Sequence, residues 1–166
     1  MMDGTISAAS FLMTRRANSA GIGLIREYEG LHLTPYLCPA KIWTIGYGHT
    51  RTVHAGMQIT PEQADLLLDE DLRLAERAVQ RLVHVPLGDN QFAALVSFTF
   101  NVGISNFERS TLLQLLNRGW YEQVPAQLMR WNRMSGEVMG GLSRRRAAEG
   151  QLWNRRDDRN GKGIAV

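Results

Sequence analysis

The sequence predicts an α+β protein in which one small antiparallel sheet is set among helices, and three observations carry that expectation. Residues 31–56 are aromatic and β-branched with Pro and Gly punctuation, the composition of short strands and tight turns. From Thr60 almost to the end, apolar residues recur at helical spacing. Ahead of both, residues 18–29 form an amphipathic stretch that stops at a glycine.

The first helix is expected from Asn18 or Ser19, either of which can cap it, through Ile22, Ile25 and Tyr28 to Glu29, with Gly30 as the stop. Two strands follow, within His32–Leu37 and Ile42–Gly48. Thr60-Pro61-Glu62-Gln63 reads as a capping box with proline at the first helical position. It opens a long helix through Leu67, Asp71, Leu74 and Leu82 that should bridge two lobes. Pro86 to Asn90 breaks it, and Phe92, Leu95, Val96 and Thr99 then mark a buried central helix ending before Gly103. Shorter helices are expected at about 110–117, 121–131 and 143–155. Residues 1–17 read as a loose leader, 18–155 as the folded unit and 156–166 as a basic tail.

Composition narrows the class without choosing a function. Apolar residues at 44% and charged residues at 21% are ordinary for a globular protein, which argues against disorder, collagen and membrane classes. The formal net charge is +3, and only Lys41 and Lys162 are lysines, so arginine supplies nearly all the cations. Arginine suits planar anionic partners, which leaves nucleic acid, anionic lipid and cell-wall polymers open. The single cysteine, Cys38, cannot form an internal disulfide. The apolar stretch Ile6–Met13 is far shorter than the ~20 residues of a membrane span. Its basic residues follow it, so it does not read as a signal peptide. A cytosolic product that needs help to leave is the expectation.

Chemistry concentrates where the first helix meets the sheet. Glu29 ends an amphipathic helix, so its carboxyl can project into a cleft against the strands. Facing apolar walls such as Tyr28 and Trp43, such a carboxyl would remain a proton donor near neutral pH. Glycoside hydrolysis needs that donor and a second group that directs water or attacks the sugar.

The run Glu29-Gly30-Leu31, Tyr36, Trp43-Thr44-Ile45-Gly46-Tyr47-Gly48-His49-Thr50 closely resembles the phage-type lysozymes of glycoside hydrolase family 24. The family motif is Glu, eight residues, Asp or Cys, five residues, Thr; Glu29, Cys38 and Thr44 fill its three slots. Further matches include Asn90–Leu95, Phe100-Asn101-Val102-Gly103, Arg130-Trp131-Asn132 and Gly141-Leu142 with Arg145-Arg146. Lys41 stands where many members have glycine, so the turn between the strands is expected to be remodelled or mildly strained.

The resemblance implies a lysozyme-like fold: a small antiparallel sheet lobe and a helical lobe joined by the long helix. It also implies inverting hydrolysis of the β-1,4 bond between N-acetylmuramic acid and N-acetylglucosamine. Glu29 would donate the proton, with Cys38 and Thr44 holding the water. Asn101, Tyr36 and Trp43 are expected to meet the sugar; Asn101 could equally cap a helix end. His49 is expected to pair with Asp71 in a structural role. No cofactor is called for, and His32, His49, His54 and His84 show no zinc spacing. Peptidoglycan is the implied partner, nucleic acid is not, a holin would supply export to the periplasmic wall, and a monomer is expected.

The C-terminal segment, with Arg144-Arg145-Arg146, Arg155-Arg156, Arg159 and Lys162, has two readings. One is a basic helix that touches the outer membrane with Trp153 as apolar anchor; the other is a helix whose Trp153 packs into the core. An arginine of the triplet could also be a structural member of the family motif. The rival functions are a cysteine-dependent wall peptidase or amidase using Cys38 and His49, and a weakly catalytic or non-catalytic wall-binding protein. Cys38 precedes Pro39 in a turn, away from the helix N-terminus that usually activates such a nucleophile.

Overall fold

A computed structural model of the chain describes residues 14–157. Helix α1 (Ser19–Glu29) starts where the Asn18 side chain accepts the Gly21 N–H at 3.0 Å, and ends at Gly30, whose φ of +72° turns the chain toward the sheet. Strands β1 (His32–Leu37) and β2 (Trp43–Gly46) pair antiparallel, with Tyr36 opposite Thr44, Leu37 opposite Trp43 and an irregularity between His32 and Tyr36.

The turn between these strands keeps its tight form, and Lys41 adopts φ +60°, the left-handed region that glycine occupies without cost. Its N–H donates to the Cys38 carbonyl at 2.8 Å. Left-handed backbone costs an L-residue roughly 1–2 kcal/mol, while glycine in the unfolded chain gives back about 0.4–1 kcal/mol. Lys41→Gly is therefore expected to stabilise the protein by roughly 0.5–1 kcal/mol in thermal denaturation. A lower melting temperature would contradict that strain.

Helix α2 (Pro61–Leu82) opens with the expected capping box, the Thr60 hydroxyl accepting from Gln63 N–H and the Gln63 side chain accepting from Thr60 N–H. It joins two apolar clusters. Ala64, near its start, packs with Ile45 and Ile59 under the sheet, whereas Leu68, Leu72, Ala75 and Val79 belong to the main core.

That core surrounds α3 (Asp89–Val102), in which every residue from Phe92 to Thr99 is buried. Gly21 of α1 lies so near α3 that a β-carbon there would sit 2.6 Å from Ala93 Cβ. The remaining helices are α4 (Ile104–Glu108), α5 (Thr111–Asn117), a 3-10 turn (Tyr121–Gln123), α6 (Val124–Met129) and α7 (Gly140–Asn154). A small hairpin, β3 (Arg133–Met134) with β4 (Glu137–Val138), precedes α7. The sequence reading foresaw neither α4 nor this hairpin, which are short and carry almost no periodicity.

Residues 1–13 of the expected leader, and Arg159 and Lys162 of the tail, lie outside the described residues. Arg15, Arg16 and Ala17, also assigned to that leader, pack on the helices. Arg16 Nε lies 2.9 Å from the buried Glu76 carboxylate, the Ala17 N–H donates to Glu76 at 2.9 Å, and Arg15 pairs with Asp89 at 2.6 Å. At the other end, Asp157 accepts the Asp89 and Asn90 N–H groups at 2.9 and 2.7 Å, supplying the side-chain cap that Gly88 cannot. No helix among the described residues is long and apolar enough to cross a membrane.

Candidate active site

A groove of about 350 Å³ runs between the sheet lobe and the helical body, lined by Glu29, Gly48, Arg51, Asp71, Phe100 and Asn101 among others. Glu29 reaches it because Gly30 ends α1 at that point. Opposite, Gly48 has φ +97°, and a β-carbon on it would lie 3.7 Å from Glu29 Oε2. Glycine there leaves the carboxylate free on that side.

Glu29 does not sit between apolar walls. Its Oε1 accepts from Arg145 Nη1 at 2.6 Å; the Glu29 side chain keeps 21% of its exposure and the Arg145 side chain 3%. The guanidinium lies over the Tyr28 ring, 5.9 Å from its centroid. Trp43 is partly exposed, and because side chains alternate along a strand it shares a face with Ile45 and not with Thr44 and Tyr36. The expected apolar environment is thus replaced by a charge-assisted hydrogen bond whose partner lies 116 residues away in the chain.

Tyr36, Cys38 and Thr44 come together at the end of the sheet. Tyr36 is opposite Thr44 in register, so both share one face. The Tyr36 phenol is pushed up by burial, and further by the neighbouring Cys38 and Glu29, which places it within the electrostatic reach of both. The Cys38 thiol is pulled down, chiefly by hydrogen bonding from the Ile42 backbone, with partial burial opposing and Ala40 and the Thr44 hydroxyl assisting. Thr44 itself is 4% exposed, and the Ile42 carbonyl, 3.0 Å from its hydroxyl, competes with Cys38 for its single proton.

Asn101 lines the groove from the last turn of α3, and its Oδ1 accepts from Arg146 Nη2. With Oδ1 engaged, its amide protons remain for a ligand. The alternative role of capping the helix end falls to Gly103, whose N–H donates to the Thr99 carbonyl. His49 Nδ1 lies 2.8 Å from Asp71 Oδ2, and Arg51 holds Asp71 Oδ1 at 2.7 Å. His49 is 3% exposed, and its Nε2 pairs with the Thr52 hydroxyl at 3.0 Å, so it braces the loop behind the groove. Among the described residues no group of His, Cys, Asp or Glu could hold a metal ion.

Helix α7 is not the solvated basic helix that one reading expected. Arg145 and Arg146 are both buried, Arg146 with its guanidinium over the Phe98 ring, and Trp153 is 4% exposed within the core. Arg145, Arg146 and Glu149 are the site residues that the sequence reading did not assign. Their signals in the sequence were the family match at Arg145-Arg146 and opposite charge at i, i+3 and i+4.

A small sheet and a helical body joined by a long helix, with an acid held by a guanidinium in the groove between them, define a protein of the lysozyme class. The family model for phage lysozymes matches residues 26–149, and the chain belongs to that family. It is 42% identical over 137 residues to the endolysin of Acyrthosiphon pisum secondary endosymbiont phage 1, covering 80% of this chain and 94% of that one. Among solved structures, the muramidase domain of SpmX from Asticaccaulis excentricus superposes with a TM-score of 0.82 at 40% identity, covering 86% of this chain and 99% of that one. A mutant of P22 lysozyme superposes with a TM-score of 0.77 at 36% identity, covering 84% and 98%.

Proposed function

We propose that the protein is an endolysin: a glycoside hydrolase that cuts the β-1,4 bond between N-acetylmuramic acid and N-acetylglucosamine in bacterial peptidoglycan and so brings about host cell lysis. One observation carries this reading. Glu29 lines an open groove of about 350 Å³, Tyr36 lies within electrostatic reach of both Glu29 and Cys38, and Glu29, Cys38 and Thr44 have the family's catalytic spacing.

In this proposal Glu29 protonates the bridging oxygen. Cys38, whose lowered thiol pKa increases its thiolate fraction, and the Thr44 hydroxyl hold a water beneath the anomeric carbon. Attack from the opposite face inverts the configuration, giving the α-anomer. Asn101 offers its amide protons to the sugar, and Tyr36 its ring. Trp43, partly exposed on the face away from Thr44, is proposed to meet a more distant part of the wall polymer.

Residues 18–155 are proposed as the catalytic unit, acting as a monomer on the periplasmic wall after a holin opens the way. Arg155 and Arg156 are exposed at the end of α7, and with the tail they form the proposed contact with the outer membrane.

Digestion of purified peptidoglycan followed by mass spectrometry tests the reaction class. Fragments ending in reducing muramic acid are expected. Freed stem peptides would mean a peptidase or amidase, and an undigested wall would mean a binding protein.

A further inference from the structure

Behind the groove, α7 carries two adjacent arginines that serve different ends, and one carboxylate stands between them. Glu149 is wholly buried; its Oε1 accepts from the Ser97 hydroxyl at 2.8 Å and from Arg145 Nε at 3.3 Å. Its Oε2 lies 3.1 Å from Arg146 Nη1, close enough for an ion pair but misaligned for a hydrogen bond. The two guanidinia have protons to give and no acceptor, so they favour the ionised form. Burial raises the Glu149 carboxyl above its ordinary value, with Arg146, Arg145 and Ser97 pulling it back in part.

From there each arginine reaches outward. Arg145 extends to Glu29 and Arg146 to Asn101, so Glu149, two guanidinia and Glu29 form one charge-balanced chain from core to groove. Arg145 thus shares one positive charge between two carboxylates, Glu29 at 2.6 Å and Glu149 at 3.3 Å, so removing the charge of either changes the field at the other. The groups facing Glu29 are Arg145 and Arg146 from α7 and Tyr36 from β1, with Arg51 and Asp71 across the groove.

We infer, on the reading of Glu29 as general acid, that Glu149 is a positioning residue for both Glu29 and Asn101. It divides the two arginines, aims Arg145 at the acid and Arg146 at the sugar-facing amide, and shares the charge of Arg145 with the acid.

The test is the pH dependence of initial rates on soluble, uncross-linked glycan strands, with native protein and Glu149→Gln measured side by side. Gln keeps the size of Glu and removes the charge. The high-pH limb of the activity, where the acid has lost its proton, is expected to move about one unit toward lower pH. Below that limb the variant should recover to within roughly threefold of native. A limb that stays in place, or a loss that is even across pH, overturns the proposal. Should circular dichroism show that Glu149→Gln does not fold, Glu149→Gln with Arg146→Met removes one charge of each sign from the core. That double variant is expected to raise KM several-fold as Asn101 loses its anchor, and an unchanged KM overturns the proposal. A native protein inactive at every pH would refute the muramidase reading itself and take the proposal with it.

Discussion

Glu29→Gln is expected to abolish the clearing band on a peptidoglycan zymogram and to lower the solution rate by about 10²–10⁴-fold, the usual contribution of a general acid. Gln preserves the shape of the side chain and its Oε1 can still accept from Arg145 Nη1, so the contact that fixes the residue survives. The fold should persist, because Arg145 retains Glu149 as a second counter-ion. A clearing band as strong as that of the native chain would remove Glu29 from the chemistry. A band lost together with the melting transition would assign the residue to folding instead.

The second large effect is expected at Cys38. A base must be deprotonated to work, and the deprotonated fraction falls as pH falls. The Cys38 thiol is pulled below its ordinary value by the Ile42 backbone above all, yet a carboxylate in the same slot titrates several units lower. Cys38→Asp should therefore extend the low-pH limb of activity toward acid and match or exceed the native rate near pH 6. Cys38→Ala should be slower by roughly one to three orders of magnitude. Proton NMR of the freshly released sugar separates the mechanisms. An initial α-anomer is expected for the native protein and for Cys38→Asp, and an initial β-anomer would exclude inversion. A fully active Cys38→Ala would leave Thr44 to place the water alone.

What the sequence made legible is what local rules govern. Asn18, the Thr60–Gln63 box, Gly30 and Gly103 act within a turn of their own positions, so the helix boundaries they set could be read directly. The strand pair was visible through its β-branched and aromatic residues, and the strain expected where Lys41 replaces the family's glycine appears as its φ of +60°. For α7, the reading that packs Trp153 into the core holds, while the exposure expected of its arginines does not. Three consecutive arginines look like a solvated surface, and nothing local shows that two of them are buried against Glu149, Ser97 and Phe98. The same holds for Glu29: its position at a helix end was evident, but the guanidinium that replaces the expected apolar wall comes from the far end of the chain. Long-range ion pairing depends on how helices cross, and α7 crosses α3 with its charges turned inward, a placement that no periodicity in its own sequence could reveal.

The fastening of Arg15 and Asp157 to one end of α3 has an engineering consequence. Arg15 and Asp157 both engage Asp89, and Asn18 joins Asn90, at the N-terminus of a helix whose other end carries Phe100 and Asn101 into the groove. Fourteen residues of α-helix span roughly 21 Å, so Arg15 and Asp157 lie well away from the glycan path. A wall-targeting or membrane-penetrating module joined directly to Arg15 or Asp157 is therefore expected to leave the groove open. A junction placed ahead of Asp157 would strip the carboxylate that caps the central helix and should be avoided.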